Sequence, residues 1–257
     1  MSRIAIVSAM HEELRALLQA MPDEAPHKLA GREFWVGHLD GHEVVAVLSG
    51  IGKVAAATTA TVLLTHFGVD RILFTGAAGG LGEGVAVGDV VVAGELLQHD
   101  MDASPLFPRH EVPLYGRSRF SSDAKLSDAV QRAATGVLAA ASSGESPELP
   151  RSHLDEFHIG QPRVHHGLIV SGDRFVSRRE ESEALRAELP DVLAVEMEGA
   201  ALAQVCADFG VPFAVVRTVS DRADDSAHVD FNRFIAEVAS RYTLAIVRAS
   251  LAALDAG

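Results

Sequence analysis

Short, uninterrupted apolar runs recur along this chain, and segments with helical periodicity separate them. Ile4–Ala9 reads as a buried strand, and Leu14, Leu17, Leu18 and Met21 then repeat at i, i+3, i+4 and i+7. That spacing predicts one apolar helix face. The same alternation continues through strands at Arg71–Phe74, Val85–Ala93, Val164–Val170, Val192–Val195 and Phe213–Val219. Helical patterns cover Ala55–Phe67, Asp123–Ala141, Arg178–Glu188, the stretch around Leu202, Val205, Cys206 and Phe209, and a long C-terminal stretch from Phe231. A strand that is apolar at every position must be covered on both faces, which is the condition of a parallel sheet flanked by helices. Phe34–Leu39 and His42–Leu48 flank Asp40-Gly41, a strong hairpin signal that makes the sheet mixed. The fold class is therefore α/β, with a mixed, mostly parallel sheet.

We read residues 1–257 as one domain. The polar, proline-bearing stretch 142–160 is expected to be a surface insertion. With 22 Lys and Arg against 35 Asp and Glu, the formal charge is −13. Phosphate-backbone binding needs a basic surface, so nucleic acid is excluded as a partner. No apolar run approaches the roughly 18 residues of a membrane span, and the first residues are too quickly polar for a signal peptide. A cytoplasmic location is expected. Cys206 is the only cysteine, so no internal disulfide exists; its apolar neighbours predict a buried helical thiol.

In open α/β sheets ligands bind beyond the carboxyl ends of the strands. Met10-His11-Glu12-Glu13 follows the first strand, the Gly-rich loop Thr75–Gly80 follows Phe74, Glu196-Met197-Glu198 follows Val195, and Ser220-Asp221 follows Val219. Three strand ends thus deliver carboxylates and one delivers glycine. Each has a plainer reading. Glu12 and Glu13 suit a helix start, Ser220-Asp221 suits a turn, and Glu196 could form a buried ion pair with Arg217. Ser49–Val54 superficially suggests a phosphate loop, but it lacks the first glycine and the Ser or Thr after Lys53. Gly76–Gly84 leads into a strand, so it is not a dinucleotide fingerprint. His99-Asp100-Met101-Asp102 lacks a recognisable metal-ligand spacing.

Seven motifs occur in order: IVSAMHEE (6–13), SGIGKVA (49–55), TGAAGGL (75–81), GDVV (88–91), GLIVSGDRF (167–175), VEME (195–198) and VRTVSDRAD (216–224). Together they resemble the 5′-methylthioadenosine/S-adenosylhomocysteine nucleosidases of the purine nucleoside phosphorylase superfamily. The resemblance implies a single, partly closed α/β sheet and a homodimer. It implies hydrolysis of the N-glycosidic bond between adenine and a 5′-thio-substituted ribose, without metal or organic cofactor.

Carried over residue by residue, the resemblance makes Asp221 the general acid to adenine N7, held by Ser220, and Glu13 the base for water. Glu198 would bind the ribose hydroxyls and Met197 would lie beneath the ribose. Phe175 would stack on adenine, Val176 would read its edge, and Phe231 would wall the pocket. Ile51 and Met10 would line the 5′-thio side. Gly79, Ala77, Glu196 and Arg217 complete the substrate-binding set. Ala77 stands where the family often has Ser, and the segment 103–120 departs from the usual bacterial pattern. Three rivals follow: a nucleosidase for another 5′-modified adenosine such as aminofutalosine, a phosphate-dependent phosphorylase, and a nucleoside-binding protein without activity. His11-Glu12-Glu13 stands where a phosphorylase carries Gly and Arg for the anion, and a carboxylate there repels phosphate.

Overall fold

The computed structural model describes residues 3–223 and 231–255. β1 (Arg3–Ser8) runs parallel between β4 (His42–Leu48) and β5 (Arg71–Thr75). Its residues split by parity. Ile4 and Ile6 enter one core, and Ala5 and Val7 enter the other. The first core packs beneath α1 (His11–Gln19), α3 (Ala124–Ser143) and the C-terminal helix α8 (Ser240–Asp255). The second packs beneath α2 (Lys53–Thr65) and α6 (Gly199–Phe209), where Cys206 is fully buried. This two-sided burial is what the uninterrupted apolar runs require.

The hairpin between β3 (Arg32–Leu39) and β4 turns at Asp40 and Gly41, both at positive φ (50° and 89°). Two consecutive positive φ values match the right-handed twist of the flanking strands, and Asp-Gly accommodates them cheaply. Beyond it lies β2 (Ala25–Leu29), which carries Pro26 and is exposed at every residue. Its five residues show no apolar alternation, and the sequence reading missed it.

Among the described residues the sheet has eleven strands, and part of it closes. β11 (Phe213–Asp221) pairs with β5 through Phe213–Val215. Further along it pairs antiparallel with β7 (Val90–Gln98) and parallel with β6 (Ala77–Gly80). β6, β10 (Val192–Glu196), β9 (Val164–Ser171) and β7 complete a ring that returns to β11. The partly closed, mixed sheet implied by the resemblance is therefore present.

Two expectations are corrected. Thr75–Gly80 was read as a loop, but Ala77–Gly80 is β6. Small residues there reflect closeness across the ring: a Cβ on Gly80 would lie 2.9 Å from Val219 Cγ1. The strand expected at Val85–Ala93 instead starts at Val90, after a turn at Gly88 with φ 89°. Its bulge lies at Gly94, where the ladder with β9 shifts register between Ala93 and Glu95. β8 (Arg119–Ser121), a short edge on β7, also had no sequence signal. Within 142–160, α4 (Arg151–Glu156) and the buried Leu149, Leu154 and Ile159 pack into the first core. Residues between β9 and β10 form α5 (Arg179–Glu188). Ahead of α8 come α7 (Phe231–Phe234) and a π-helical turn, Ile235–Ala239. Among the described residues no helix is long and apolar enough to cross a membrane.

Candidate active site

The carboxyl ends of β1, β9, β10 and β11 and the strand β6 open on one cavity of about 200 Å³. Ala9, Met10 and Ile51 form one side. Ala77, Ala78 and Gly79 of β6 form another, and Arg174, Phe175 and Val176 lie at the end of β9. Val195, Glu196, Met197 and Glu198 continue β10; Ser220, Asp221 and Phe231 complete the lining. Twelve of the fourteen residues singled out in the sequence therefore line one space. Glu13 and Arg217 are the two that do not, and both are fully buried behind it.

Asp221 ends β11. One carboxylate oxygen accepts the Ser220 hydroxyl at 2.8 Å and the other accepts the Ala223 amide at 2.7 Å. Gly79 makes this position possible. A Cβ there would lie 2.8 Å from Ala223 Cβ and 3.0 Å from Asp221 Oδ1. An alanine at 79 would therefore push directly on the carboxylate.

Glu198 stands at the start of α6, 7% exposed. Its Oε1 accepts the Gly52 amide at 2.9 Å, across 146 residues of chain. Burial first, and then repulsion from Glu196, raises its pKa to about 7. Glu196 is differently placed. Its oxygens accept from the Ser171 hydroxyl, from Arg217 Nη2 at 2.7 Å, and from the Glu198 and Gly199 amides. The ion pair weighed as the plainer reading of Glu196 and Arg217 is formed, with both side chains buried. Such a pair offsets a large desolvation cost only when further hydrogen bonds satisfy it. Glu196 also occupies the free amides at the head of α6. Arg217 additionally lies over the Phe74 ring, 4.1 Å from its centroid.

Glu13 sits in the first turn of α1, where Oε2 accepts the Met10 amide at 3.1 Å. This satisfies the helix-start reading. The other oxygen accepts the Thr243 hydroxyl of α8 at 2.8 Å. Burial raises the Glu13 pKa to about 7, against the lowering pull of Thr243 and of the more distant Arg217. Sequence reasoning missed Thr243 and Ser171. Thr243 carries no local signal, since its partner lies 230 residues away. Ser171 was inside a quoted motif, but nothing in the motif assigns its hydroxyl to Glu196.

A mixed, partly closed sheet with carboxylates at three strand ends around an apolar cavity defines a class. The chain is a member of the phosphorylase superfamily, whose sequence profile matches residues 3–252. Within it, the chain belongs to the 5′-methylthioadenosine/S-adenosylhomocysteine nucleosidase family. The protein of that name from Actinobacillus succinogenes is 37% identical over 254 residues, covering 98% of this chain and 100% of that protein. The solved structure from Neisseria meningitidis, in complex with methylthio-immucillin-A, has a TM-score of 0.82 at 34% identity, covering 98% of this chain and 99% of the other. The futalosine hydrolase structure from Helicobacter pylori is similar to nearly the same degree. Its TM-score is 0.80 at 31% identity, with 98% and 97% covered.

Proposed function

We propose that this enzyme hydrolyses the N-glycosidic bond of 5′-methylthioadenosine and/or S-adenosylhomocysteine, releasing adenine and the 5′-thioribose. The observation that carries this reading is the charge arrangement. Asp221 and Glu198 face one apolar cavity with Glu13 behind its wall, and the nearest buried cation, Arg217, is committed to Glu196.

Adenine leaves poorly until its ring nitrogen N7 is protonated, and Asp221 supplies that proton while Ser220 and the Ala223 amide aim it. As the bond breaks the ribose becomes cationic, as in other glycosyl transfers. Glu198 binds the ribose hydroxyls and its negative charge favours the developing cation. Glu13, beside Met10 and with a pKa near neutrality, takes the proton of the attacking water. Phe175 stacks on adenine, Val176 reads its edge, and Phe231 walls it. Met197 lies beneath the ribose, Ala77 and Gly79 lie on the anomeric side, and Met10 and Ile51 line the 5′-thio side. Glu196 and Arg217 act by holding Glu198 and the head of α6.

Adenine release over a panel of 5′-substituted adenosines, with and without phosphate, tests the reading. We expect free ribose products at a rate indifferent to phosphate. Phosphate-dependent formation of ribose 1-phosphate would make the enzyme a phosphorylase instead. The likeness to futalosine hydrolase and the unusual segment 103–120 favour one second reading, a nucleosidase for a futalosine-type 5′ substituent. The same panel separates it by relative kcat/KM. A homodimer belongs to the proposal too. Ile51 on the cavity rim is 75% exposed and the nearby Val54 is 79% exposed, and a partner subunit would cover such apolar surface. Sedimentation showing only active monomer at micromolar concentration would exclude it.

A further inference from the structure

Outside the cavity, three strand-end loops meet at a single carboxylate. Asp100 follows β7, Lys53 opens α2, and Asp173 follows β9. Asp100 Oδ1 accepts Lys53 Nζ at 2.6 Å, and Asp100 Oδ2 accepts the Asp173 amide at 2.9 Å. Asp173 Oδ1 in turn accepts the Lys53 amide at 2.8 Å, occupying a free donor at the head of α2. None of these three residues lines the cavity. The peptide unit just ahead of Lys53 does reach a site residue, because the Gly52 amide donates to Glu198.

Two further features tighten this junction. Gly52 holds φ at 89°, and a Cβ there would lie 3.0 Å from Asp173 Oδ1. The loop therefore approaches Asp173 at a distance only glycine allows. His99 underlies the loop at Gly172, where any added Cβ would collide with its ring. The β9 loop is thus seated from below by His99 and tied laterally by Asp100. Burial works to raise the Asp100 pKa, yet the Lys53 ammonium and the Asp173 amide hold it below the ordinary carboxylate value.

We propose that Asp100 is a positioning residue that acts through Lys53 and Asp173 to set the Gly52 amide, and so aims Glu198 at the ribose hydroxyls. This deepens the functional reading above and rests on Glu198 being the ribose ligand. With the clasp intact, the Gly52 amide fixes one Glu198 oxygen from outside the pocket. With the clasp broken, Gly52 is free to drift and Glu198 loses its reference point. The Lys53 ammonium would lose its nearest carboxylate.

The test is equilibrium binding of two non-hydrolysable 5′-methylthio adenosine analogues, one with both ribose hydroxyls and one 2′,3′-dideoxy. Asp100→Asn, which keeps the side-chain size, is expected to weaken the hydroxylated analogue about tenfold, as expected for a disturbed hydrogen bond to a charged group. The dideoxy analogue should change by less than about twofold. Lys53→Met breaks the same clasp from the other loop and should give the same asymmetry. A melting curve for each variant confirms that it is folded. Equal weakening of both analogues in both folded variants, or no weakening, overturns the proposal. Glu198→Gln is the reference. If Glu198→Gln weakens both analogues equally, or weakens neither, Glu198 is not the ribose ligand, and the functional reading fails first and takes this one with it.

Discussion

Asp221→Asn is expected to release adenine about 10²–10⁴-fold more slowly than the native enzyme, the range a lost general acid typically costs. The substitution removes the transferable proton and little else. An asparagine has the same shape and can still accept the Ser220 hydroxyl or the Ala223 amide, which hold the native carboxylate at 2.8 Å and 2.7 Å. Fold and nucleoside affinity should therefore survive while kcat collapses. Stopped adenine-release assays at saturating nucleoside, with a melting curve for each protein, measure this. Turnover within a fewfold of native would remove Asp221 from the proton path. A leaving group that needs no protonation, such as a nitrophenyl riboside, should recover much of the lost rate.

Glu13→Gln is expected to lose turnover by a similar factor, and its pH behaviour carries a second signature. A base must be deprotonated, so native kcat/KM should rise with pH through about 7, where Glu13 titrates. In the variant that limb should vanish. Glu198 is lifted to a similar value, so a limb that survives in Glu13→Gln belongs to Glu198. The same group affects stability with a definite sign. Its folded pKa of about 7 stands above its ordinary 4.5, so the native state holds a proton that the unfolded chain has released. Stability from this group is full below about pH 4.5 and is lost as pH rises through 7. The melting temperature of Glu13→Gln relative to native should therefore be higher at pH 8 than at pH 5. An unchanged difference between those pH values would show that Glu13 is not buried as an acid.

Much of this site was legible because the relevant signals are local. An uninterrupted apolar strand announces two-sided burial, and a carboxylate directly after it sits at the ligand-binding end of the sheet. Glu13, Glu198 and Asp221 all follow from that rule. The Glu196–Arg217 pair was legible as an alternative, since a buried charge needs a partner. What escaped depends on residues far apart in sequence. Ala77–Gly80 looked like a loop because glycine signals either freedom or crowding, and the crowding comes from Val219 and Ala223. Thr243 and the Asp100 clasp involve partners 230, 47 and 73 residues away. No pattern within either segment encodes them.

β11 is bonded along its length to three strands in turn, β5, β7 and β6. A strand held this way tolerates neither insertion nor deletion. A one-residue slip would exchange its two faces, turning Arg217 toward the first core and taking Asp221 off the position at which it meets the cavity. Inheritable variation is thus denied to the strand that bears the acid and left to the loops that follow other strands. Descendants of this frame can change what they hold at the 5′ end of the sugar far more readily than how they break its bond to the base.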